Sequence, residues 1–457
     1  MPAFRQIYEA GLPIQPTGVR FDVPIGRKTV AGSYLRSRLP DSDVPVYFVA
    51  QKSYFDRAEL YRTGGEDYRD NCERFVFFCR AVLEAIRLLD LKTDVIHAND
   101  WQTSLVPAYL KIEYGGVPPY DQIAALYSIH NLAFQGRFWH WDMLLTNLDW
   151  KYFNWRQMEF HGDLNLMKTG LTFADALNTV SPRYAREIQV DPLGCGLEGV
   201  LQHRRDDLSG ILNGVDYREW NPATDQHLKV NYDPQTVAEN KPVCKHALQQ
   251  QFGLPLDPQT PLVATIGRLT SQKGFDLMTQ VIPQGAQERT LQWIVLGTGE
   301  AKYQQLLTDL AARYPKQVAV RLEFCGPLAH QIEGGADLLL MPSQFEPCGL
   351  NQLFSLKYGT VPVVRATGGL ADTIVHATPQ SIAAGTANGF SFREYSPLAL
   401  SETLRQACEM YRGNPEIWRQ LMVTGMRQDW SWARSAKQYV QLYEQILSRR
   451  RSAVATA

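Results

Sequence analysis

MPSQFEPCGLNQLFS, residues 341–355, decides how the rest of the chain is read. It follows an apolar run, Asp337 to Met341, with the length and composition of a buried strand. It then passes through a Pro and Ser turn and enters a helix expected to start near Gly349. One carboxylate, Glu346, is thereby set at the carboxyl end of a strand and the mouth of a helix. In open α/β sheets ligands bind in the crevice beyond the strand ends, and a helix amino terminus there favours a phosphate. A single acid in such a place is more often a cap or a solvated charge, so its meaning depends on its neighbours.

Working outward, the same half repeats the pattern. Pro261 to Ile266 reads as a strand, followed by the loop GRLTSQKG and a helix. Leu291 to Leu296 and Val318 to Phe324 read as further strands, the former ending in GTGE at 297–300, and Val361 to Val364 as another, ending in ATGGLADT. The GRLTSQKG loop carries Arg268 and Lys273. Its Leu269, Thr270, Ser271 and closing Gly274 suit a tight turn whose backbone donors face a ligand, and no acidic pair stands beside the two cations. Arg offers a planar fork for two phosphate oxygens and Lys a point charge. Together they suit the diphosphate of a sugar nucleotide, whose departure builds negative charge, without magnesium. Gly368 and Gly369 lie at a strand-to-helix junction where backbone N–H groups can approach an anion. With Glu346 these residues outline a donor-nucleotide site.

The amino-terminal half has the same grammar. The first forty residues, with Pro and Gly throughout, read as loop-like, and Val44 to Ala50 as the first clear strand. Arg69 to Leu91 has apolar residues at helical spacing. A strand ending in HANDW (Asp94 to Trp101), a helix to Tyr114 and a strand from Ile123 to Ile129 ending in HNLAFQG then form a βαβ unit, which implies a parallel sheet. Both strand ends carry polar groups: His97, Asn99 and Asp100, then His130 and Asn131. Lys151 to Glu187 reads as helix, strand, helix. The fold class expected is α/β, with two parallel sheets in separate halves. The expected domains are 1–221 and 222–430, with the Gly- and Pro-rich residues 191–221 and the polar residues 222–259 as the crossover region, and a carboxyl-terminal helix over 431–450 returning to the first domain. The basic tail Arg449 to Arg451 and the small residues beyond it read as a disordered end.

Composition sets outer bounds. A chain of 457 residues exceeds one ordinary core. A net charge of −1 gives no basic surplus for nucleic acid or anionic membrane. Cys72, Cys79, Cys195, Cys244, Cys325, Cys348 and Cys408 are scattered, without a CxxC pair or a Cys/His cluster. They read as reduced thiols of a cytoplasmic protein, not as a disulfide frame or a metal site. No apolar run is long enough to span a bilayer. The 10 Trp, 21 Tyr and 19 Phe suit a protein that handles sugars.

HANDW, YSIHNLAFQG, MEFHGDLNLMKTGLTFADALNTVSP, YAREI, GCGLEGVL, LSGILNGVDYREWNPATD, IGRLTSQKG, GADLLLMPSQFEPCGLNQL and LKYGTVPVVRATGGLADT occur here in order. Together they resemble bacterial glycogen synthases and plant starch synthases over nearly the whole chain. The resemblance implies a GT-B fold, two Rossmann-like domains across a cleft. It also implies a metal-free enzyme, with no cofactor, that extends an α-1,4-glucan from ADP-glucose with retention of configuration. Arg268 and Lys273 match the pair that holds the donor diphosphate. Glu346 matches the carboxylate near the transferred glucose, with Cys348, Gly349 and Leu350 at the same helix mouth. His130 and Asn131 match residues contacting glucose, Asp100 an acid lining the cleft from the other domain, Gly368 and Gly369 the phosphate-side loop, and Phe324 the aromatic packing on adenine. Where the family often has a His two residues after the HANDW acid, this chain has Gln102, which is given no catalytic part.

One departure stands out. The family opens with a strand, a KxGGL loop and a helix, and no such motif occurs here; Lys28 in GRKTV lies in a different context. The amino-terminal sheet is therefore expected to be incomplete, and the chain to be missing an upstream segment. The competing reading is a non-catalytic glucan-binding or scaffolding homologue with impaired transfer. A third, a phosphorylase, requires a lysine bound to pyridoxal phosphate, and none can be identified.

Overall fold

The computed structural model describes residues 1–455. The chain divides into two compact units. Met1–Thr179, Ile188–Ser209 and the chain from Val440 on form the first; Val180–Glu187 and Gly210–Tyr439 form the second.

The first unit opens on a short helix, Arg5–Glu9, followed by strands, not loops. β1 (Gln15–Ile25), β2 (Lys28–Arg38) and β3 (Pro45–Ala50) form an antiparallel sheet in that order. This corrects the loop-like reading of the first forty residues. Phe21, Val23 and Ile25 are buried at alternate positions while their neighbours face solvent, the period of a half-buried strand. Pro16, Gly18 and Pro24 masked that period in the sequence. The Phe21 ring stacks on Tyr34 and on Phe77 of the helix Asn71–Leu88, which closes this core.

Behind it lies the sheet that carries the polar strand ends. It consists of β4 (Val95–Asn99), β5 (Ala124–Ile129), β6 (Ala176–Thr179) and β7 (Leu208–Gly210), in the order β7-β6-β5-β4. β4 and β6 both run parallel to β5, whose six residues are all buried. The region read as a helix from Lys151 is instead a short turn and a small hairpin, Glu159–Phe160 with Asp163–Asn165, ahead of the helix Leu166–Phe173. The last helix, Trp432–Ala455, continues through the basic run read as a disordered end. Arg449, Arg450 and Arg451 are each within 4.0 Å of a carboxylate, on Asp207, Asp175 and Asp94 respectively. These ion pairs, which link positions far apart in sequence, hold the tail helical where composition alone suggested fraying. Thr456 and Ala457, the end of that run, lie outside the described residues.

The second unit is built on six strands: β8 (Leu262–Ile266), β9 (Gln292–Leu296), β10 (Val318–Arg321), β11 (Leu338–Met341), β12 (Val361–Arg365) and β13 (Phe390–Phe392). All neighbours pair in parallel, in the order β10-β9-β8-β11-β12-β13. Unbroken apolar strands are what a sheet covered on both faces requires. Alternate residues feed two cores: Val263, Leu338 and Leu340 on one face, Leu262, Ala264, Leu339 and Met341 on the other. The strand order reverses between β8 and β11. That reversal is the switch point at which doubly wound sheets open a crevice, and it is where the loops of Arg268 and Glu346 emerge. Among the described residues no helix is long and apolar enough to cross a membrane.

Candidate functional site

After β11 the chain turns through Pro342 and Ser343, and Glu346 folds back into the protein, 5% exposed. Its Oε2 accepts a hydrogen bond from the Ser343 hydroxyl at 3.0 Å and an ion-paired one from Lys273 Nζ at 2.6 Å. A buried carboxylate needs such partners. Lys273 reaches it because the loop after β8 is laid against the one after β11. The Gln344 N–H donates to the Gln272 carbonyl at 2.8 Å, and Gly274, at φ 79°, lies where a Cβ would come within 2.3 Å of the Pro342 carbonyl oxygen. Arg268, on the same loop, is exposed, with no ion pair or side-chain hydrogen bond to any described residue, so its guanidinium is available to an anion.

Gly368 and Gly369 meet the Glu346 loop from the other side. A Cβ on Gly368 would lie 1.9 Å from the Glu346 carbonyl oxygen, and one on Gly369 2.0 Å from that of Cys348. The Gly369 N–H is spent on the carbonyls of Glu346 and Pro347, and the Gly368 N–H goes to Glu187 Oε2 at 3.0 Å. In this state the glycine pair brings two backbones into contact, and its donors face protein acceptors. The adjoining helix begins at Asn351, two residues past Gly349, and Asn351 Nδ2 donates to the Ile266 carbonyl at 2.7 Å, tying it to the end of β8. Cys348 is buried, and desolvation pushes its thiol up to about 12, so it stays a neutral packing group. Leu350 is partly exposed. Phe324, beyond β10, is 97% exposed.

In the first unit Asp100, Asn131 and His130 gather at the ends of β4 and β5. Asp100 has φ 56° and ψ −178°, a strained backbone conformation outside the left-handed helical region and nearly confined to glycine. That turn aims its Oδ1 at the His130 N–H, 2.8 Å away, and its carboxylate also accepts from the Asn131 backbone. Burial pushes the Asp100 carboxyl upward, against the lowering effect of His130 and those two N–H groups. The His130 ring bonds Asn99 Oδ1 at 2.9 Å. Below it His97 is held between Tyr443 of the last helix and Ser128, at 2.8 and 2.6 Å, and Ser128 donates to Asn178.

Desolvation first, and the nearby His130 second, lower the His97 pKa to about 4. The unfolded chain takes up that proton near pH 6.5. The neutral ring therefore contributes fully above pH 6.5, and its contribution is lost as pH falls toward 4. A loss of about 3 kcal/mol is expected over that window. Denaturant melts at pH 7.5 and 4.5 would measure it, with His97→Asn showing a correspondingly flatter dependence.

The structure thus gathers the expected site residues into two clusters, one per unit: Arg268, Lys273, Glu346, Cys348, Gly349, Leu350, Gly368 and Gly369 in the second, and Asp100, His130 and Asn131 in the first. Phe324 stands by itself. Ser343, Asn351 and Glu187 were missed by sequence reasoning. All three lay inside quoted motifs, Ser343 and Asn351 in MPSQFEPCGLNQLFS and Glu187 in YAREI, but nothing in a linear pattern says which carboxylate, carbonyl or N–H they will meet.

Comparison with known proteins gives a consistent result. Residues 1–203 match the family described as starch synthase catalytic domain, and residues 248–420 the one described as glycosyl transferases group 1. A glycogen synthase of Rhodopirellula baltica is 45% identical over 99% of this chain and 92% of its own length. A glycogen synthase of Geotalea daltonii is 42% identical over 98% and 91%. The solved catalytic domain of starch synthase IV from Arabidopsis thaliana, bound to ADP and acarbose, superposes with a TM-score of 0.87 at 30% identity, covering 96% of this chain and 89% of that one.

Proposed function

This chain belongs to the glycogen and starch synthase family, and from that premise we propose how its residues act. It has the GT-B fold and is a retaining glucosyltransferase that extends an α-1,4-glucan from ADP-glucose. The observation that carries the reading of the site is the ion pair of Lys273 with the buried Glu346 at the point where the strand order of the second unit reverses. Arg268 and Lys273 receive the diphosphate and stabilise the charge that grows on it as the bond from its oxygen to the glucose C1 breaks. Glu346 stabilises the positive charge left on the glucose ring. The glucan 4-hydroxyl attacks C1 from the face the diphosphate leaves, and its proton passes to a departing phosphate oxygen. Asp100 holds the His130–Asn131 backbone in place. Gly368 and Gly369 keep the phosphate-side loop against Glu346, with Leu350 and Cys348 lining the same helix mouth and Phe324 offered to the adenine.

A cytoplasmic location is supported by the seven free cysteines, five of them buried. Retention of Glu346, Lys273 and Arg268 together favours the enzyme over a scaffolding homologue. The test is transfer of radiolabelled glucose from ADP-glucose to glycogen. Incorporation that depends on both substrates is expected, and none above a heat-killed control would refute the reading.

A further inference from the structure

The loops that carry Lys273 and Glu346 leave different strands, β8 and β11, and the ladder between those strands ends at Ala264 and Leu339. Beyond it the Gln344 N–H meets the Gln272 carbonyl, and Gln272 Nε2 donates over a longer 3.4 Å to the Phe345 carbonyl. Charges that must meet a developing transition state have to be fixed in advance. A lysine on a four-carbon stem is fixed only as well as the turn beneath it.

Arg365, the last residue of β12, grips one of these turns. Its Nη1 donates to the carbonyls of Ser343 and Gln344 at 3.3 and 2.5 Å, and its Nε to the Arg393 carbonyl at 3.1 Å. Ser343 is the residue whose hydroxyl bonds Glu346, and Gln344 the one whose N–H meets Gln272. Among the described residues no carboxylate forms an ion pair with Arg365, and burial pulls its pKa below the ordinary arginine value, against the raising effect of Glu187 and Tyr395. A half-buried cation without a carboxylate adds little to folding, but it fixes the turn whose carbonyls it takes.

Tyr395, in the turn between β13 and the helix Pro397–Gly413, grips the other. The Arg365 guanidinium lies over its ring, 5.4 Å from the centre. Its hydroxyl, one proton facing two acceptors, reaches Asp276 Oδ1 at 2.6 Å and the Ser271 carbonyl at 3.1 Å. Those two residues flank Lys273: Ser271 opens the turn that ends on it, and Asp276 lies in the first turn of the helix Phe275–Gln287.

We propose that Arg365 and Tyr395 are positioning residues for glucose transfer, a stacked brace that sets where Lys273 and Glu346 stand relative to each other. One partner holds the turn of the acid, the other the turn of the lysine, and the stack joins them. The proposal rests on the transfer reading above and gives neither residue a step in the chemistry. The rival role for Arg365 is a third cation facing the donor diphosphate. Its three hydrogen bonds to backbone carbonyls favour the brace.

The test compares Arg365→Gln, Arg365→Lys and Tyr395→Phe with wild type in steady-state transfer kinetics, with thermal melts to control for misfolding. A misplacement of about 1 Å can cost about a hundredfold in rate. Partial loosening is therefore expected to lower kcat about thirtyfold in Arg365→Gln and about fivefold in Tyr395→Phe, with the KM values for ADP-glucose and glycogen unchanged. Arg365→Lys should be as slow as Arg365→Gln, since one ammonium cannot span three carbonyls and lie flat on a ring. Tyr395→Phe should cost nothing further in a Lys273→Ala background, where the residue it places is gone. Restoration of the rate by Arg365→Lys, with a raised KM for ADP-glucose in Arg365→Gln, would overturn the proposal, because the charge would then face the donor directly. So would wild-type kcat in both Arg365→Gln and Tyr395→Phe. If the wild type transfers no glucose, the transfer reading falls and amide hydrogen exchange decides the brace by itself. Faster exchange over residues 268–276 in Tyr395→Phe and over 341–350 in Arg365→Gln would sustain it, and unchanged exchange would overturn it.

Discussion

Lys273→Ala is expected to lower glucose transfer about a thousandfold, and Glu346→Ala by at least a hundredfold. Removing one preorganised donor from developing charge costs about a hundred- to a thousandfold in other active sites, and here the donor carries a full charge. The two variants should fail differently. Without Lys273, Glu346 retains only the Ser343 hydroxyl while 5% exposed. An orphaned buried acid costs about 1–3 kcal/mol, so Lys273→Ala should melt earlier as well as turn over slowly. Without Glu346, Lys273 loses a competitor for phosphate, so ADP should bind at least as tightly as to wild type while kcat collapses. Glu346→Gln, which can still accept from Ser343 and Lys273, should preserve the wild-type melt and remain slow. Steady-state kinetics, ADP titration calorimetry and thermal melts together read this pattern. A near-normal rate in either alanine variant would remove both residues from the chemistry.

The second large effect comes from one methyl group. Gly369→Ala would put a Cβ 2.0 Å from the Cys348 carbonyl oxygen and 2.6 Å from its carbon and Cα. Those are backbone atoms, so no rotamer change relieves the clash. Either the loop after β11 moves, taking Glu346 off Lys273, or the helix Gly368–Thr373 lifts away. A loss of about 3 kcal/mol in stability, with transfer falling below a hundredth of wild type, is expected. Gly199→Ala is the matched control: nothing lies within 4 Å of the place its methyl would occupy, and its melting temperature and rate should be unchanged. A Gly369→Ala enzyme with wild-type melt and rate would show that the close approach has no role.

How much of this could be read from the letters depends on the range of the interaction. The strands of the second unit were legible because they are short unbroken apolar runs, and Glu346, Arg268 and Lys273 because each directly follows one. The order of those strands was not legible: parallel pairing is set by crossovers, and no local signal says that β8 lies beside β11. The β1–β2 hairpin escaped because its alternation is written across Pro16, Gly18 and Pro24, which are the usual marks of a loop. The glycine pair was found, but its packing was not. A donor turned toward Glu187, far away in sequence, looks the same in the letters as a donor turned toward a phosphate. The arginines at the end of the last helix were misread for the same reason, since their partners Asp94, Asp175 and Asp207 are spread over the first half of the chain.

The two units exchange pieces of chain. Val180–Glu187 sits in the second unit although the sequence on both sides of it belongs to the first, and the closing helix starts in one and finishes in the other. A gene cut in two near residue 210 would therefore give neither fragment a whole body. The front piece would lack the helix whose Tyr443 covers His97, and the rear piece would lack the Glu187 that covers the Gly368 donor. Ribosomal synthesis meets the same restriction: the first body stays unsealed until the final residues emerge.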